Sequence, residues 1–162
     1  MKKKTSSNYR IVVSIFLLIS FISPWMRAYS DIFPFGPPII VNGLHELIGI
    51  FWMYTQPDLV KDSLSDIRII GFDILIATGL IIILIYSISN FYLGIRHRGY
   101  VVNRNKSLRN IVLLFLSMYS VINSISYSMN SRIAWGSWAM VVGLGFAISI
   151  EIVNTLNLVR DA

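Results

Sequence analysis

Residues Pro24–Asp66 read PWMRAYSDIFPFGPPIIVNGLHELIGIFWMYTQPDLVKDSLSD. Their apolar middle, Ile39–Tyr54, either crosses a membrane or stays on one side of it. That choice sets the direction of every later segment. A crossing would carry His45, Glu46 and two glycines into hydrocarbon, where an acid at the centre costs roughly 2.5–3.5 kcal/mol. A helix over Ile39–Tyr54 would measure about 24 Å, short of the roughly 30 Å bilayer core. A fifth crossing would also move a strongly basic loop to the wrong side. The segment is therefore expected to stay outside.

Composition explains why a membrane enters at all. The chain has 162 residues, 55% of them hydrophobic and 14% charged, with mean hydropathy +0.66. Soluble domains carry about 25% charged residues, so lipid must solvate much of this surface. The length allows one compact domain. The net charge of +6 and pI of about 9.8 matter less as sums than in their placement. The absence of cysteine excludes disulfides, thiol catalysis and cysteine-ligated metal.

Four spans follow in order. Met1–Arg10 holds four positive charges and no acid. Residues 11–26 form the first span, with Tyr9 and Trp25 read as interface anchors. A basic start, an apolar run and Ala28-Tyr29-Ser30 also match a secretory signal peptide, but Arg27 sits awkwardly beside that cut. Residues 67–93 are the clearest span, long enough to cross even when tilted. Ser63 and Asp66 resemble a capping box ahead of it. Residues 110–129 and 133–159 supply the third and fourth spans, separated by a polar turn at Asn130-Ser131-Arg132. The N-terminal tail, the 94–109 loop and the C-terminus hold ten of the fourteen Lys/Arg. With four spans these share one side, which the positive-inside rule makes cytoplasmic. The expectation is an all-α integral membrane protein of four transmembrane helices in the plasma membrane, with both termini in the cytoplasm.

Within the 27–66 outer module, Leu44, Leu47, Ile48, Phe51 and Trp52 recur at the spacing of one helical face, and Asn42 can cap it. Alternatively, Tyr29–Phe35 and Ile39–Asn42, separated by Gly36-Pro37-Pro38, make a small antiparallel sheet. The layout of one helix, a long outer loop opening on a tryptophan, and three further helices resembles claudin-like four-helix membrane proteins over the whole chain. That resemblance implies a partly β outer loop. The family's Gly-Leu-Trp and paired-cysteine signature is absent, so no residue role carries over from it.

Few side chains suggest chemistry. Ala139, Gly143 and Ala147 form a small-residue ladder on the fourth span, and Glu151 extends the stripe toward a neighbouring helix. Glu151 is either a proton or cation carrier, or a group solvated or paired with Arg109 or Arg160. Asp73 is expected at the depth of Asn123 and Ser126, where the three would bind a cation or pin two helices together. Ser120, Ser124 and Ser128 read as a packing face. His45 and His97 fall on opposite sides of the membrane and cannot share a metal, and no cofactor motif or catalytic set occurs. Arg96, Arg98, Arg104, Lys106 and Arg109 suit anionic lipid headgroups. Phe33, Phe35, Phe51, Trp52 and Tyr54 are the residue types enriched in protein interfaces. The expected function is non-enzymatic: an accessory or scaffolding subunit of a larger membrane complex or homo-oligomer. The alternative is a small ion, proton or solute transporter using Asp73, Asn123 and Glu151.

Overall fold

The computed structural model describes residues 2–28, 39–56, 67–96, 103–127 and 131–160. In chain order its elements are α1 (Lys2–Ile22), β1 (Met26–Ala28), β2 (Ile39–Val41), α2 (Gly43–Thr55), α3 (Ile67–Arg96), α4 (Arg104–Tyr127), β3 (Ser131–Ile133) and α5 (Trp135–Arg160). Three segments, Ile70–Arg96, Arg104–Ser126 and Trp135–Asn157, are long and apolar enough to cross a membrane. The apolar part of α1, Asn8–Ile22, is shorter. Val12, Ile85, Val112 and Phe146 stand outward on the four long helices, each more than half exposed. Water would not tolerate such a surface, and lipid does. This is a helical integral membrane protein.

The four long helices close a ring in which α1 and α4 each pack on both α3 and α5. Neighbours run antiparallel. Along α1 and α5, Pro24 meets Gly136, Leu17 meets Gly143 and Arg10 meets Glu151. Leu17, Leu80, Ile83, Leu114 and Leu144 fill the middle of the ring and are fully buried. Gly143 and Ala147 face inward with them, as the small-residue ladder requires, and Ala139 is half-buried. On α4, Ser120 packs against Gly79 of α3 and donates to the Leu75 carbonyl at 3.0 Å. A side chain at position 79 would collide with that serine.

At one end, the ring is finished by a three-stranded antiparallel sheet of order β2-β1-β3. Arg27 stands opposite Ile40 on one side and Arg132 on the other. Pro24 cannot continue α1, and Ser23 closes it by donating its hydroxyl to the Ile19 carbonyl at 2.7 Å. Asn42 then joins two helices. Its side-chain oxygen accepts from the His45 N–H at 2.9 Å, capping α2, while its amide donates to the Ile22 carbonyl at the end of α1 at 3.2 Å. Gly136 approaches the Pro24 backbone closely enough for its N–H to donate to that carbonyl at 2.9 Å. A Cβ there would meet the same backbone. Gly136→Ala should therefore cost about 1–3 kcal/mol, whereas Gly145→Ala, which meets nothing within 4 Å, should not destabilise. Paired thermal unfolding in one detergent checks this.

The elements differ from the sequence expectation in definite ways. The first helix runs Lys2–Ile22 rather than 11–26, because Ser23-Pro24 ends it and Met26 begins a strand. Trp25 is no interface anchor: it is fully buried, donating from its indole N–H to the Ser20 carbonyl at 2.8 Å. Tyr9 is exposed. Helix and sheet were alternatives for the segment before α3, and both occur. The partner of β2 is β1, which pairs on its other edge with β3, while Tyr29–Phe35 lies outside the described residues. Ser131 and Arg132, expected in a turn, belong to β3. Ser63, Asp66 and Ser128 fall outside the described residues.

Candidate functional site

The inner stripe of each long helix turns polar at the end away from the sheet. Among the buried residues of α1 are Arg10, Ser14, Leu17 and Phe21, and among those of α4 Ser107, Asn110, Leu114, Ser117 and Val121. Both series advance in steps of three and four, which keeps them on one helical face. Tyr86 and Asn90 of α3 lie one turn apart, and Glu151 of α5 continues the stripe of Gly143 and Ala147. Antiparallel packing brings these ends together.

Glu151 is the centre of the cluster and is fully buried. Arg10 grips it with both terminal nitrogens, Nη1 to Oε1 at 2.6 Å and Nη2 to Oε2 at 2.8 Å. Oε1 also accepts from the Tyr86 hydroxyl at 3.2 Å and the Asn110 amide at 3.1 Å. Oε2 accepts from the Ser107 hydroxyl, which itself accepts from the Asn154 amide at 2.9 Å. Asn90 supports the cation, accepting from Arg10 Nη1 at 3.2 Å while its amide donates to the Tyr86 carbonyl at 2.9 Å. All four long helices thus contribute. A carboxylate has about four lone-pair positions, and five donor contacts already surround this one. No coordination position is left over for a cation. The charges cancel within the pair, so the arrangement is a clasp between helices.

Among the described residues, the buried side-chain polar atoms without a hydrogen-bond partner are Arg10 Nε and the hydroxyls of Ser14 and Ser87, with that of Ser20 at the sheet end. The sequence left Glu151 as a proton or cation carrier, or as a group solvated or paired with Arg109 or Arg160. Instead the partner is Arg10, because α1 continues as helix through the basic tail and Arg109 is exposed. Arg160 has its side chain outside the described set. Tyr86, Asn90, Ser107, Asn110 and Asn154 were not singled out either. Their signal was present as polar residues at helical spacing near one end of each span.

The expected trio at the sheet end does not assemble. Asn123 donates to the Tyr119 carbonyl at 2.8 Å and Ser126 to the Ile122 carbonyl at 2.8 Å, both within their own helix. Asp73 instead accepts from the Tyr54 hydroxyl at 3.1 Å, and Ser124 donates to Glu46 at 3.1 Å. Burial, followed by the hydrogen bond and charge of Asp73, pushes the Tyr54 phenol above its ordinary 10.0. Burial chiefly, with the Asp73 charge, also pushes Glu46 above its ordinary 4.5 against the opposing Ser124 bond. Among the expected partner-facing residues, Phe51 and Trp52 are exposed, joined by Leu44 and Ile48, while Tyr54 is half-buried on Asp73. Phe33 and Phe35 lie outside the described residues. Of the basic set, Arg96, Arg104 and Arg109 are exposed and Lys106 is half-buried; Arg96 lies over the Tyr92 ring at 5.7 Å. Arg98 and His97 lie outside the described residues. No group of three or more metal-ligating side chains occurs among the described residues.

Comparison with protein-family models, curated proteins and solved structures finds no match.

Proposed function

We propose that this protein is a four-span, non-enzymatic accessory or scaffolding subunit of a larger membrane complex or homo-oligomer, with both termini cytoplasmic, in the cell membrane. The observation that carries the reading is the saturated Glu151. The most buried acid among the described residues is spent on holding four helices together rather than kept open for a solute. Topology follows from packing and charge. The meeting of Pro24 with Gly136 and of Arg10 with Glu151 runs α1 beside most of α5, so a membrane crossed by α5 is crossed by α1. Arg10 enters that membrane with its charge cancelled. The clasp end carries Arg96, Arg104 and Arg109 and is assigned to the cytoplasm, where these side chains meet anionic headgroups. The sheet and α2 then lie outside.

Leu44, Ile48, Phe51 and Trp52 form an uncharged face on α2, and aromatic anchors of this kind dominate interface cores. That face is assigned to the partner subunit. Extraction of native membranes in a mild detergent should give the chain in a large, defined assembly. The double variant Phe51→Ala/Trp52→Ala should move it to a smaller species while the chain stays folded. A monomer throughout a series of mild detergents would contradict the reading. In sealed membrane vesicles Asp73→Asn should leave any solute flux unchanged; a flux abolished without loss of fold would favour transport.

A further inference from the structure

Helix α2 packs on α1 and α3 at the sheet end. Gly43 lies against the Phe21 and Trp25 rings, Leu47 is buried, and Tyr54 reaches Asp73. Among the described residues, two side-chain hydrogen bonds tie it to the bundle through carboxyl groups: Glu46 with Ser124 of α4, and Tyr54 with Asp73 of α3, each at 3.1 Å. The charged group that acts on Glu46 is Asp73 of α3, a second acid. Opposite α2, α1 offers the uncharged rings of Phe21 and Trp25, and α4 offers the Ser124 hydroxyl. His45, next along α2, is exposed. Among the described residues no Lys or Arg forms an ion pair with either acid.

Glu46 is half-buried at the contact of α2 with α4, and Asp73 is tied to the same helix through Tyr54. Among the described residues no cation pairs with either acid, so docking depends on the protonation of Glu46. We propose that α2 is a pH-operated latch, held on the bundle while Glu46 is protonated and loosened when Glu46 ionises beside Asp73. Either protonation state keeps a hydrogen bond with Ser124, since the hydroxyl can donate to a carboxylate or accept from a carboxylic acid. Only the ionised state carries the burial penalty and the repulsion. The sign follows from linkage. Glu46 titrates above its ordinary 4.5 when docked, so its contribution to docking is complete below that pH and is lost as pH rises through the docked value. Each pH unit between docked and released values changes the docking equilibrium tenfold. Tyr54, raised above 10.0, stays a donor throughout this range. The latch does not depend on what α2 binds.

The chain has no cysteine, so a labelled pair can be introduced cleanly. Ile48→Cys on α2 and Ile122→Cys on α4, both exposed positions, take spin labels for distance measurement in neutral-lipid nanodiscs. The expected result is one narrow distance distribution at acidic pH and a second, longer population that grows toward alkaline pH. Glu46→Gln should keep the narrow distribution at every pH. Asp73→Asn retains an acceptor for Tyr54, removes the repulsion, and should shrink the longer population. An unchanged distribution across the titration overturns the latch, as does a wild-type response in Glu46→Gln. Should Glu46→Gln not fold, Glu46→Ala takes its place, and a wild-type response in that variant overturns the latch.

Discussion

Arg10→Ala should be among the most damaging single substitutions in this chain, destabilising it by about 3–5 kcal/mol. The loss of packing is the smaller part. Removing the guanidinium leaves the fully buried Glu151 charged and held only by the neutral donors of Tyr86, Ser107 and Asn110. Glu151→Ala strands Arg10 in the same way, with Asn90 as its remaining side-chain acceptor. Breaking one side of a buried pair costs far more than the pair itself contributes, because each charge was desolvated on folding. The double variant Arg10→Met/Glu151→Leu should therefore recover most of the stability lost in either single variant. Reversible unfolding in mixed micelles, run as a double-mutant cycle, measures the coupling. Additive losses would mean that the two charges do not depend on each other.

Trp25→Ala should cost a comparable amount, about 3–5 kcal/mol, as expected for a large buried aromatic truncated to a methyl group. Position 25 is where the two layers of the fold are joined. Its N–H donates to the Val41 carbonyl at 2.8 Å, and its carbonyl accepts from the Ala134 N–H and the Ser137 hydroxyl, both at 2.7 Å. The ring stands edge-on to Phe21 and beneath Gly43. Losing it opens a void where α1, α2 and α5 meet. Trp25→Phe should be milder, keeping much of the ring volume but losing the bond to the Ser20 carbonyl. Thermal unfolding of the two variants against wild type in one detergent reads the difference.

Periodicity and hydropathy made the class of molecule legible, because lipid imposes long apolar helices and leaves a plain compositional mark. The spacing of Leu44 to Trp52 marked α2, and the Ala139–Ala147 ladder marked the inner stripe of α5. What the sequence did not disclose was pairing. Arg10 sits in a basic tail that reads as a topological signal, and only the continuation of α1 turns it inward. The aromatic-rich face of α2 was legible, yet Glu46, on a helix assigned to the surface, turns toward Ser124. Asp73, Asn123 and Ser126 share a depth, but residues at equal depth do not share a face. Asn123 and Ser126 spend their donors on their own backbone. Strand pairing between β1 and β3 joins residues about a hundred positions apart, and no local pattern specifies it.

In the proposed four-span bundle, α1 crosses the membrane beside α5 although its apolar part, Asn8–Ile22, falls short of an ordinary span. Single cysteines at Asn8, where the apolar part of α1 begins, and at His45 on α2, both exposed positions, stand toward its two ends. With a membrane-impermeant thiol reagent, His45→Cys should label in intact cells and Asn8→Cys only after permeabilisation. Labelling of both from the same side would contradict the four-span bundle and the clasp that supports it.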